Sequence, residues 1–128
     1  MTAADAFATV RPRLTAGQVR ALVADLAGVL GADRVQTGED VRRQHGTDES
    51  FHAPAPPDVV VAPRSTEEAV AIVNVCRRHR APIIPFGAGT SLEGHIAALQ
   101  GGVSVDMREM NRILRVSLDD LDVTVEAG

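Results

Sequence analysis

The chain has 128 residues, a formal net charge of −4 and a pI near 5.5, enough for one domain with a real core and without the basic surplus of a general nucleic-acid binder. All 13 of its Lys/Arg residues are arginine, so a Walker lysine, a Schiff-base lysine and other lysine chemistry are excluded. The single cysteine rules out an intrachain disulfide or a thiolate cluster, and no run approaches the roughly 20 apolar residues that cross a bilayer.

Residues 1–14 lack periodicity and read as a loose lead-in. Asp5 and two early arginines without a continuous apolar core do not make a secretory signal. These features imply a soluble protein of a reducing compartment. Thr15 and Gln18 form a capping box. Val19, Leu22, Val23, Leu26 and Leu30 then follow the i, i+3, i+4 rule, which predicts a helix over 15–30. Gly31 is placed to end it in a left-handed conformation. Thr37, Glu39 and Asp40 open a short helix through Gln44, followed by a polar loop holding His45 and His52. Their spacing matches no metal-ligand pattern, and both are expected as exposed loop histidines. Pro54, Pro56 and Pro57 impose an extended approach to the next element.

Val59-Val60-Val61 is a continuously apolar strand of the kind buried on both faces, ended by Pro63. Ser65 and Glu68 cap a second helix, expected to bury Ala69, Val70, Ile72, Val73 and a structural Cys76. Arg77, Arg78 and Arg80 suit the negative end of its dipole, as a solvated last turn. Ile83-Ile84 is the next strand, which completes a βαβ unit. Further on, Val103–Asp106 and Asp122–Glu126 read as alternating strands around the strand Ile113–Val116, with a turn or single helical turn over Met107–Asn111 and a polar turn over Ser117–Asp120. The chain thus changes at residue 95 from α/β to hairpin-like β. Its halt at Ala127-Gly128, directly after a strand, suggests a truncated chain.

Between these halves lies Pro85-Phe86-Gly87-Ala88-Gly89-Thr90-Ser91-Leu92-Glu93-Gly94-His95, with three glycines and two hydroxyls in the eight residues from Gly87 to Gly94. Such a loop offers bare backbone N–H groups and lets an anion approach the main chain. Without lysine it is neither a P-loop nor a kinase-type glycine loop. A dinucleotide fingerprint needs its third glycine where Leu92 stands and a helix before any ribose-binding acid; Asp106 follows no such helix. Spacing alone leaves two readings open, a nucleotide-diphosphate cradle and a plain glycine-rich turn.

The run from Pro57 to Glu68 resembles the opening of the FAD-binding domain in the vanillyl-alcohol oxidase/PCMH superfamily, and Ile83–His95 resembles its diphosphate loop. Gly46–Ser50 and Asp106–Ile113 are similar to motifs of its D-lactate dehydrogenase and glycolate oxidase FAD-subunit branch. The resemblance implies an α+β, PCMH-type FAD-binding domain: a βαβ subdomain followed by the start of an antiparallel β subdomain. Residues 1–56 would be a helical lead-in and residues 57–128 the N-terminal part of that domain. It implies a parent enzyme that oxidises a D-2-hydroxy acid, D-lactate foremost, by hydride transfer to flavin N5. Electrons would pass on to a cytochrome or quinone, in the cytoplasm or peripherally at the inner membrane. Pro85, Phe86, Gly87, Ala88, Gly89, Thr90, Ser91 and Gly94 match the cofactor-binding loop; His95 either contacts the cofactor or faces solvent. Thr90 stands where covalent members carry a flavin-bonded histidine, which implies non-covalent FAD. Catalytic and metal residues of this branch match no position here. The alternative is a truncated nucleotide-binding module with no activity of its own.

Overall fold

A computed structural model describes residues 12–128, so most of the expected lead-in lies outside the described residues. The capping box forms as the sequence predicts: Gln18 N donates to Thr15 Oγ1, and the Gln18 side chain accepts from the Thr15 N–H. It opens α1, Ala16–Leu30, whose Leu22, Leu26 and Leu30 are buried. Gly31 ends the helix with φ of 91° but ψ of 144°, outside the left-handed helical region expected of it. A short 3₁₀ turn, Ala32–Arg34, leads into β1, Val35–Gln36. The next helix, α2, spans Glu39–Gln44 and starts at Gly38 without a side-chain cap.

The Val59–Val61 strand, β2, is buried throughout, as a continuous apolar run predicts. Ser65 Oγ accepts from the Glu68 N–H and caps α3, Thr66–His79. The buried residues of α3 are Ile72, Val75 and Cys76, whereas Val70 and Val73 are 54% and 49% exposed. The apolar stripe therefore sits rotated from the expected face, and Val70 and Val73 are corrected to surface positions. Arg80 closes α3 in a left-handed conformation, φ 53°, before β3, Ile83–Phe86.

The main departure from expectation is β4, Val103–Asp106. It is no hairpin strand and does not alternate between core and solvent, because all four residues are buried. It lies between β2 and β3 and runs parallel to both, with Val60, Ser104 and Ile84 in one row and Asp106 beside Phe86. The sheet order is β1-β2-β4-β3, with β1 antiparallel at one edge. The βαβ crossover is real, but its two strands are separated by this later one.

Side-chain alternation gives the sheet two faces. One holds Val59, Val61, Val103 and Val105 against Leu22, Leu26 and Leu30 of α1 and Ile72, Val75 and Cys76 of α3, a single hydrophobic core. Arg34 ties the two helices together: its guanidinium makes two bonds to Glu68, 2.7 and 2.8 Å, while its Nε donates to Leu30 O. The other face carries Val60, Ile84, Phe86, Ser104 and Asp106, also buried. After a 3₁₀ turn at Met107–Glu109, β5 (Ile113–Ser117) and β6 (Asp122–Val125) form a separate antiparallel hairpin. Its apolar residues Ile113, Leu114, Val116, Val123 and Val125 are all more than half exposed.

Candidate functional site

Because β2, β3 and β4 run parallel, their C-terminal ends share one edge of the sheet, the edge where open α/β sheets present ligands. The glycine loop leaves β3 at this edge. The backbone N–H groups of Ala88 to Leu92 have no hydrogen-bond partner among the described residues; the next, on Glu93, reaches only the Ser91 hydroxyl at 3.5 Å. Ala88, Thr90, Ser91 and His95 are exposed, and Gly87, Gly89 and Gly94 are half-buried. The loop is therefore a row of free amide donors flanked by two hydroxyls, open to whatever occupies the edge.

Two contacts give this loop its shape. Gly89 has φ of 70°, and a Cβ there would lie 2.9 Å from Phe86 Cζ. The chain thus folds back over the ring of the residue that ends β3. At the far end a Cβ on Gly94 would run into the His52 ring. Phe86 is 5% exposed, so its role is to support the loop from beneath, while Pro85 lies exposed at the outer strand. The nine expected cofactor residues are not equivalent: Phe86 is a buried prop, Pro85 lies on the outer side of β3, and the rim from Gly87 to His95 alternates exposed residues with half-buried glycines.

Beneath the loop lies a group that sequence reasoning placed wrongly. His45, expected in solvent, is 3% exposed. Its Nδ1 is 2.9 Å from Val41 O and its Nε2 is 2.9 Å from Asp106 Oδ2. Its ring packs on Phe86 with centroids 4.3 Å apart. The Arg108 guanidinium chelates Asp106 through Nε and Nη2 and lies 5.4 Å from the Phe86 centroid. Burial raises the Asp106 carboxyl, but hydrogen bonds from Arg108 and His45 outweigh it and hold the group below the usual aspartate range. Asp106 is thus a buried structural anion. His52 is exposed as expected, and among the described residues no three His, Cys, Asp or Glu side chains converge to hold a metal.

A family profile described as an FAD binding domain matches residues 57–128. This chain belongs to that FAD-binding family. It is 50% identical over 110 residues to the probable mitochondrial D-lactate dehydrogenase of Danio rerio, covering 86% of this chain and 22% of that relative. It is 42% identical over 72 residues to the glycolate oxidase subunit GlcD of Bacillus subtilis, covering 56% of this chain and 15% of the relative. Among solved structures, p-cresol methylhydroxylase with substrate bound superposes with a TM-score of 0.72 at 25% identity, over 81% of this chain and 21% of that one. An alkyldihydroxyacetonephosphate synthase superposes at 0.73 and 25% identity, over 89% and 23%. The fold is therefore the PCMH-type FAD-binding fold, and the chain spans about a fifth of the length of the first two curated relatives it matches, 22% and 19%.

FAD fits the edge just described. Its diphosphate needs several N–H donors that the protein has not already used, and a main chain free of side chains. Ala88–Leu92 supply the donors, and a Cβ on Gly87 would meet nothing within 4 Å. No helix among the described residues is long and apolar enough to cross a membrane.

Proposed function

We propose that this chain is the FAD-binding portion of an enzyme that oxidises a D-2-hydroxy acid, most directly D-lactate. Residues 57–128 form the first part of its FAD-binding domain and residues 1–56 the lead-in. The observation that carries the reading is the row of unpartnered amides from Ala88 to Leu92, held over Phe86 at the C-terminal edge of three parallel strands. The loop backbone binds the diphosphate, the Thr90 and Ser91 hydroxyls add donors at its rim, and His95 stands exposed at its end. When bound, FAD supplies a two-electron acceptor for the hydride on C2 of the hydroxy acid. Thr90 offers no ring nitrogen for a bond to flavin, so the cofactor is held without a covalent link. The names of the D-lactate dehydrogenase relatives support the substrate class, and the cytochrome named for the Arabidopsis thaliana relative supports a cytochrome as acceptor, with a quinone as the alternative. For location, the expectation of the cytoplasm or the periphery of the inner membrane stands beside the names of both those relatives, which are mitochondrial.

The test is a titration of the isotopically labelled chain, read by its amide resonances. FAD and ADP should move the Ala88–Ser91 signals, whereas riboflavin, which has no phosphate, should not. Affinity will be weak, because a chain of this span encloses only part of the cofactor. An equal response to riboflavin would refute the diphosphate assignment. In a longer chain carrying these residues, D-lactate should bleach the flavin under anaerobic conditions, and acid should release it into the supernatant.

A further inference from the structure

The buried His45 is not explained by loop geometry alone. Val41 O can only accept a hydrogen bond, so Nδ1 must donate to it at 2.9 Å. On the other side of the ring, Nε2 faces Asp106 Oδ2, also at 2.9 Å, and that carboxylate already takes three bonds from the Arg108 guanidinium and one from the Arg108 N–H. An ionised Asp106 is likewise only an acceptor. Both contacts are therefore satisfied together only by a ring carrying two protons. The same ring lies against Phe86, and the tip of Phe86 sits under Gly89. A packed path runs from the end of α2, through His45 and Phe86, to the turn of the glycine loop.

We propose that His45 is a positioning residue for the cofactor loop: doubly protonated between Val41 and Asp106, it fixes the Phe86 ring and thereby the turn at Gly89. At 3% exposure it does not itself reach a ligand. The proposal rests on the reading of this loop as an FAD site. It explains why an aspartate on a central, buried strand is met by a histidine 61 residues away in the chain. It also explains why Phe86, rather than an aliphatic residue, ends β3: a flat ring can contact His45 on one side and the loop on another.

The charged groups bonded to this ring are few. Asp106 and, through it, Arg108 approach from the end of β4, and α2 contributes only a carbonyl. Long-range proton–nitrogen spectra of the chain should show both His45 ring nitrogens protonated. In His45→Phe, which keeps a ring against Phe86 without either hydrogen bond, the Ala88–Ser91 amides should shift and FAD affinity should fall about tenfold, as for loss of a hydrogen bond to a charged group. Loop amides unmoved in that variant would overturn the proposal, as would a His45 ring with one proton. If His45→Phe does not fold, His45→Gln, which cannot make both hydrogen bonds and has no ring to set against Phe86, should move the same amides, and unmoved amides there would equally overturn it. Loop amides that move without any response to FAD or ADP would sink the FAD reading and leave the mechanical link standing.

Discussion

The two glycines that open the loop should respond in opposite ways to the same substitution. Gly87 has negative φ and nothing within 4 Å of a built Cβ, whereas Gly89 combines φ of 70° with a Cβ only 2.9 Å from Phe86 Cζ. Gly89→Ala adds about 1–2 kcal/mol for the left-handed backbone and about 1–3 kcal/mol for crowding a ring that His45 prevents from moving. The sum, about 2–5 kcal/mol, corresponds to a fall in Tm on the order of 10–20 °C for a domain of this size. Gly87→Ala costs nothing in the folded state and should stabilise by about 0.4–1 kcal/mol by restricting the unfolded chain. Its methyl group nevertheless occupies the space over the free amides, so it should weaken the FAD and ADP response severalfold. Thermal melts followed by circular dichroism, with the amide titration on each folded variant, separate the two effects. A Gly87→Ala chain that binds FAD like the parent sequence would refute close approach at Gly87. A Gly89→Ala chain with an unchanged Tm would refute the loop's packing over Phe86. Loss of binding on changing Gly89 is weak evidence for a ligand contact, because the new side chain itself strains the loop before any ligand arrives.

Two further outcomes follow from groups away from the loop. Cys76 is fully buried, and burial pushes its thiol up to about 11, so a thiol reagent should label it only after denaturation; rapid labelling of the native chain would contradict the core assignment. The hydrogen bond from Arg34, reinforced by the Arg64 N–H, holds the Glu68 carboxyl below its usual range. Its contribution is complete above the ordinary glutamate value of about 4.3 and disappears as pH falls through the lower folded value. Glu68→Gln should therefore cost about 1–2 kcal/mol at pH 7 and far less in strong acid, which urea melts at several pH values would reveal. An equal cost in strong acid would mean that packing, rather than charge, explains the loss.

What could be read from the sequence was local. Thr15 and Gln18 announce α1 because capping uses residues three apart, and Val59–Val61 announces a buried strand because nothing in it is polar. The glycine loop was legible for the same reason, since its function depends on contiguous backbone. His45 and Asp106 were misread because each is polar and its justification is remote. Val-Ser-Val-Asp looks half exposed until His45 supplies the partner that lets Asp106 be buried, and Ser104 is carried inside on the same face. No signal near residue 45 encodes that pairing. The face of α3 failed differently: Val70 and Val73 are as apolar as Val75, and only the placement of α1 decides which of them is covered.

The position of β4 also bears on how the chain reaches this structure. β2 and β3 are made first and are joined by α3, yet neither pairs with the other; each waits for residues 103–106, which supply the ladder for both. Until then the βαβ unit has two unsatisfied strand edges and a gap one strand wide. Assembly must therefore pass through the late insertion of a four-residue segment, a non-local step that slows folding. A chain cut between His95 and Val103 would contain the whole cofactor loop and still lose the strand that holds its sheet together.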